Sequence, residues 1–254
     1  MSSPLPELSV PRLVLWRHGR TEWNATGRFQ GQLDPPLDEH GRHQAAIAAP
    51  HLLAAGLPSD EMVVVSSDLS RAAETAATLT ALLGVPLRLD ARLREHGMGL
   101  WEGLTRDEVA QRYPEQFADW TAGRPVRGRG GEDPSEVSDR ALAALMDLPP
   151  ARVAVVVTHG GTAGRLMERL LGIGPDHRRL FGSLGNCAWS ELTVQANRWR
   201  LIRHNSSVLQ LAGGRTEGAD APTPALRAVP SLPDAGGVPD EAPPLPVTDA
   251  DAVL

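Results

Sequence analysis

The chain builds one short unit twice: an uninterrupted apolar run, a histidine, a glycine, and then residues able to start a helix. The first copy is Leu13 to Trp16 followed by Arg17-His18-Gly19, and the second is Val153 to Val157 followed by Thr158-His159-Gly160-Gly161. Runs of this length and β-branched content suit strands buried on both faces, which belong to parallel sheets covered by helices. Two such strands ending in histidine bring two imidazoles together at the carboxyl edge of the sheet, at the switch in strand order where α/β proteins bind ligands. The expected fold is therefore α/β, a three-layer sandwich with a mostly parallel central sheet flanked by helices.

The remaining elements fit that plan. Asp38 is placed to cap a helix running towards Ala55, with Ala45, Ala46, Ala49, Leu52 and Leu53 on its buried stripe and Pro50 expected to kink it. Met62 to Val65 reads as a strand that leaves through Ser66-Ser67-Asp68 into a helix from Ser70 to Leu83, closed by Gly84. A short strand near Leu87 to Leu89 follows, then helices from Thr105 to Tyr113, Pro114 to Trp120 and Ser135 to Leu148, the last capped by Ser135 and Ser138. The helix after the second histidine is expected to begin near Thr162. Strands from Ala188 to Val194 and Arg198 to Arg203 close the sheet, with Trp189 and Trp199 as core residues.

The polar loop after the first strand holds the richest chemistry. An imidazole at position 18 can attack, Arg17 can hold an anion, and Gly19 lets a substrate come close. Thr21, Asn24, Arg28, Gln30 and Gly31 add donors in a stretch with little apolar surface to bury. Arg71 falls in the first turn of its helix, where a cation is mildly disfavoured by the dipole and an anion held beside it would gain from both. Glu95 and Glu102 are candidate acids beside Met98, Leu100 and Trp101, whose apolar contact could keep a carboxyl protonated. Arg124, Arg127 and Arg129 could meet a second anionic group on a substrate, or could simply be solvated.

Arg17-His18-Gly19 with Thr21, Trp23-Asn24, Gly27-Arg28, Gln30-Gly31 and Pro36-Leu37 resembles the signature of the histidine phosphatase superfamily, which includes the cofactor-dependent phosphoglycerate mutases. SSDLSRAAETA around Arg71 and LREHGMGLWEG around Glu95 extend the resemblance. It implies a phosphoglycerate mutase-like fold, His18 as the nucleophile that becomes phosphorylated, and Glu95 as the group that protonates the leaving oxygen. Arg17, Arg71 and His159 would hold the phosphoryl oxygens, with Thr21, Asn24, Gln30, Gly31 and Gly160 as further binding residues. Gln30, twelve residues after the nucleophile, and the short segment between Glu95 and Gly130 resemble the phosphatase branch rather than the mutases. LGNCAW and RWRL resemble, within that branch, enzymes acting on glucosyl-3-phosphoglycerate. The implied partner is a small phosphomonoester, with a mutase and a non-catalytic phospho-ligand binder as the alternatives.

Composition narrows the remainder. The 254 residues, 41% hydrophobic, suffice for one sizeable α/β domain, expected over 11–212 after a flexible N-terminus, 1–10. From Gly213 the chain holds eight of its 22 prolines and seven acidic residues against two arginines, so the tail 213–254 is expected to be disordered and carries -5 of the net -6. That balance argues against a nucleic-acid surface. All 25 basic residues are arginine, which excludes Schiff-base lysines and Walker-type phosphate loops. The single Cys187 offers neither an internal disulfide nor a zinc cluster, no apolar run would span a bilayer, and the N-terminus lacks the pattern of a signal peptide. A cytoplasmic protein needing no metal or cofactor is expected, and a homodimer is compatible with the sequence without being specified by it. His40, His43, His51, His96, His177 and His204 read as structural.

Overall fold

A computed structural model describes residues 8–54, 61–174 and 180–208. The expected tail and His177 lie outside the described residues, as do the first seven positions of the expected flexible N-terminus. In chain order the elements are β1 (Arg12–Arg17), α1 (Glu22–Ala25), α2 (Glu39–Ala54), β2 (Met62–Ser66), α3 (Ser70–Leu83), β3 (Arg88–Leu89), α4 (Arg106–Arg112), α5 (Pro114–Thr121), α6 (Pro134–Met146), β4 (Val153–Thr158), α7 (Gly160–Leu171), β5 (Trp189–Gln195) and β6 (Arg198–Ser206).

The six strands form one sheet in the order β3-β2-β4-β1-β5-β6. β1, β2, β3 and β4 run parallel, while β5 and β6 are antiparallel additions at one side. β4 is buried along its whole length, as its unbroken run of small and β-branched residues requires. Alternate residues divide the core in two. Leu13, Leu15, Ala154 and Val156 meet Ala141, Leu145, Leu166 and Leu170 of α6 and α7, whereas Val14, Trp16, Val155 and Val157 meet Ala45, Ala49, Ala72 and Leu79 of α2 and α3. A third cluster, Phe29, Met98, Trp101, Val109 and Trp120, is the core of the insert carrying α4 and α5.

This arrangement puts α2 and α7, the helices that follow β1 and β4, on opposite faces of the sheet, so the switch point falls between the two histidine-bearing strands. Leu13 pairs with Ala154 and Arg17 with Thr158, so the histidines emerge in register.

Several expectations need correction. Helix α2 is continuous through Pro50. The proline leaves the carbonyl of Ala46 without its helical donor, but both residues are exposed and water can replace the bond. Ala46 therefore does not belong to the buried stripe, which is Ala45, Ala48, Ala49 and Leu52. Helix α6 is capped by Asp133, whose side chain and that of Glu136 form a reciprocal capping box, rather than by Ser135. Helix α7 starts at Gly160, with His159 itself at the N-cap.

Candidate active site

The tips of the central strands are knitted together by backbone hydrogen bonds. The His18 N–H donates to the Thr158 carbonyl (3.0 Å), the Ser67 N–H to Val157 (2.9 Å), and the Cys187 N–H to the carbonyl of His18 (3.1 Å). Arg17, His18, Arg71 and His159 are all fully buried there, and the two imidazole rings lie 5.1 Å apart between centroids. The structure thus brings these four predicted residues into one place. Among the described residues no group of three or more His, Cys, Asp or Glu side chains could hold a metal ion.

The hydrogen bonds assign the protons. Nδ1 of His18 is 2.7 Å from the carbonyl oxygen of Gly19, an atom that can only accept, so Nδ1 carries the proton and Nε2 presents its lone pair. That Nε2 is buried and has no hydrogen-bond partner among the described residues. Burial, reinforced by the charges of Arg71 and then Arg17, pushes the imidazole well below its usual pKa, against the opposing bond to Gly19. His18 is a neutral, exposed-lone-pair imidazole inside a cationic pocket.

His159 has the opposite arrangement. Its Nε2 lies 2.9 Å from the hydroxyl of Ser67, which accepts from the N–H of Leu69 (3.3 Å) and has no other acceptor for its own proton among the described residues. Ser67 therefore donates to Nε2, and Nδ1 of His159 carries the proton. That N–H is buried and unpartnered among the described residues. Burial, then Arg71, His18 and Arg17, drives this imidazole too well below its usual range.

The guanidiniums are held by backbone carbonyls. Arg17 Nη1 donates to Leu184 (2.7 Å), and Arg71 donates to Leu33 (2.7 Å) and Gly31 (2.9 Å). Gly31 consequently acts through its carbonyl. It adopts φ +52°, and a Cβ there would lie 2.1 Å from the Glu102 carboxylate, so only glycine fits. Thr21 caps α1: its hydroxyl accepts from the Asn24 N–H (3.1 Å) and lies within reach of the side-chain oxygens of Asn24 (3.1 Å) and Gln30 (3.0 Å). The hydroxyl has one proton and two neighbours waiting for it, so Thr21 orients the two amides. Gly160 begins α7, where its N–H has no helical acceptor.

Gly19 has a different use from the one expected. Its missing Cβ makes room for helix α2, since a Cβ would sit 2.4 Å from the carbonyl oxygen of Gly41. Glu95 also sits in unexpected surroundings. It is buried, but its carboxylate accepts from the N–H groups of His96 (2.7 Å), Thr162 (2.9 Å) and Gly161 (3.0 Å) and from the Thr162 hydroxyl (3.2 Å). Trp101 and Met98 belong to the insert's core, and Leu100 is 57% exposed. Glu102, the other candidate, braces a loop by accepting from the N–H groups of Met98 (2.9 Å) and Gln32 (3.1 Å).

Some of the framework has no sequence signal. Asn186 donates to the carbonyl of His18 and to the Asn24 side chain, both at 3.2 Å. Arg140, on α6, holds the carbonyls of Arg92 (2.6 Å), Arg94 (2.7 Å) and Glu95 (2.9 Å) and pairs with Glu132. Cys187, at φ 56°, supplies its N–H to this frame, and burial pushes its thiol up to about 12.

Comparison with known proteins places this geometry in context. Residues 13–207 match the model of the histidine phosphatase superfamily (branch 1). A glucosyl-3-phosphoglycerate phosphatase of Mycolicibacterium vanbaalenii is 37% identical over 221 residues, covering 79% of this chain and 96% of that protein. A protein of Cronobacter sakazakii named "Probable phosphoglycerate mutase GpmB" is 35% identical over 192 residues, 74% of this chain and 87% of its own. Among solved structures, a mycobacterial glucosyl-3-phosphoglycerate phosphatase in complex with VO3 superposes with a TM-score of 0.69 at 37% identity, over 78% of this chain and all of that one.

Proposed function

The chain belongs to the histidine phosphatase superfamily, and from that premise we propose that it hydrolyses a small phosphomonoester through a phosphoryl group carried on His18. The observation that carries the reading is the pair of complementary protonation states: a lone pair on His18 and an N–H on His159, on rings 5.1 Å apart between two buried arginines. One end attacks phosphorus; the other donates to its oxygens.

The steps follow from that placement. A phosphomonoester carries about two negative charges, and in the transition state charge spreads over three equatorial oxygens. Arg17, Arg71 and the Nδ1–H of His159 neutralise it in a site closed to water, where such donors act at full strength. Asn24, Gln30 and the N–H of Gly160 add donors. Nε2 of His18 attacks in line as the ester oxygen departs, and Glu95 serves the leaving group, delivering the proton that makes it an alcohol. Water then attacks phosphorus on His18, Glu95 takes its proton, and inorganic phosphate leaves.

Glucosyl-3-phosphoglycerate is the substrate that the relatives point to, and the LGNCAW and RWRL segments around Cys187 and Trp199 support it. A phosphatase accounts for the chain better than a mutase. The test uses purified protein and an aryl phosphate: wild type releases phosphate and His18→Ala does not. Equal rates in the two would leave a phospho-ligand binder. Supplying 3-phosphoglycerate with a bisphosphoglycerate primer separates the branches, since a phosphatase yields inorganic phosphate and no 2-phosphoglycerate.

A further inference from the structure

Beside Glu95 lies a second group of buried cations. Arg129 is 5% exposed, stacked over the Trp101 ring at 5.2 Å, and pairs with no carboxylate among the described residues. Its Nε has no hydrogen-bond partner among them, and its Nη2 faces Nε2 of His96 at 3.3 Å. That second contact is not a satisfying one. His96 Nε2 is 2.7 Å from the carbonyl of Glu132 and must carry a proton to donate there, so two donors face each other. Arg165, 4% exposed, has one long contact to Glu168 (3.3 Å) and a likewise unpartnered Nε. The two guanidiniums repel each other, and burial lowers the pKa of both.

A buried guanidinium without an anion is costly, so a fold that keeps one at a fixed place has a reason in its ligand. Arg129 is fixed. Glycines 128, 130 and 131 around it adopt φ of +73°, +74° and +81°, and its loop is pinned to the segment after Glu95 by the bonds Leu100 N–H to Arg129 (3.0 Å) and Glu132 N–H to Gly97 (3.0 Å). Arg165 lies one turn beyond Thr162 on α7, and helical side chains lean towards the N-terminus, here towards Glu95, whose charge it feels. Arg124 and Arg127, by contrast, are exposed, and Arg124 is paired with Asp119.

We infer that Arg129 and Arg165 form a subsite for a carboxylate on the leaving alcohol, so that the preferred substrates are phosphomonoesters of hydroxy acids. This rests on the phosphatase reading, because it is Glu95's service to the leaving oxygen that places the alcohol next to these cations. A guanidinium matches a planar carboxylate through two parallel N–H bonds, and the partnerless Nε of each arginine is one half of such a fork.

The test compares two esters that differ in one group, 3-phosphoglycerate and glycerol 3-phosphate, with an aryl phosphate as reference. Wild type should favour 3-phosphoglycerate at least tenfold in kcat/KM. Arg129→Met and Arg165→Met should each reduce that ratio by tenfold or more, chiefly through KM, and Arg129→Lys should recover part of it. The melting temperature of ligand-free Arg129→Met should not fall, since a buried unpaired charge has been removed; a purely structural arginine predicts a fall. No discrimination in wild type, or equal losses on both esters in the variants, would overturn the subsite alone. Absence of phosphate release from all three esters would overturn the phosphatase reading and the subsite with it.

Discussion

The two imidazoles at the strand tips are neutral for the same reason and protonated at different atoms. The proton on His18 is set by a backbone carbonyl, which no substitution at position 19 removes; that on His159 is set by the Ser67 hydroxyl, which one substitution does remove. Ser67→Ala should therefore let His159 sample both tautomers and lower kcat/KM by about 10- to 100-fold, less than the loss of a directly contacting donor. Nitrogen NMR of the His159 ring checks the cause, with a single Nδ1–H form in wild type and a mixture in the variant. An unchanged tautomer with reduced activity would contradict it. At this scale the sequence was most legible where a side chain does the chemistry: the strand-histidine-glycine units pointed to His18 and His159, and SSDLSRA to Arg71. Partners that are carbonyls, such as those of Gly19, Gly31, Leu33 and Leu184, carry no residue signature, and Asn186 approaches His18 from a distant part of the chain. The apolar surroundings expected for Glu95 were inferred from neighbours in sequence, whereas its real neighbours are the N–H groups that open α7.

Helices and loops reach the site through close approaches that demand glycine. A Cβ on Gly41 would lie 2.0 Å from the Arg20 carbonyl oxygen, and one on Gly19 would lie 2.4 Å from that of Gly41. Gly41→Ala should push α2 away from the β1 tip and destabilise the protein by about 1–3 kcal/mol, as overpacking does elsewhere. Chemical denaturation measures this, with phosphatase activity falling in the same variant. The Glu95 loop depends on Arg140 in the same way. Arg140→Ala removes a guanidinium that holds three carbonyls and Glu132, and should cost about 1–3 kcal/mol with a fall in kcat larger than any rise in KM. Element boundaries were legible to within a few residues because apolar period and caps are local properties. Pro50 was misjudged because tolerance of a proline depends on which carbonyl it orphans and whether water reaches that carbonyl.

Over the whole molecule, burial of the pocket links protonation to folding. His18 and His159 titrate below 6.5 in the folded protein and near it when unfolded, so on acidification the unfolded chain binds protons first. Stability should hold above about pH 6.5 and decline as pH falls below it, continuing to the depressed folded values, as thermal melts across that range would show. Stability that rose on acidification through this window would mean that the imidazoles are charged in the native state. The same burial shields Nε2 of His18 until a phosphate enters, and the central claim is that this atom takes the phosphoryl group. Mixing the intact protein with an aryl phosphate, quenching in alkali and mapping the modified peptide by mass spectrometry tests it directly. The account predicts one acid-labile phosphoryl group on His18, absent from His18→Ala; turnover with His18 never labelled, or labelling that persists in His18→Ala, would contradict it.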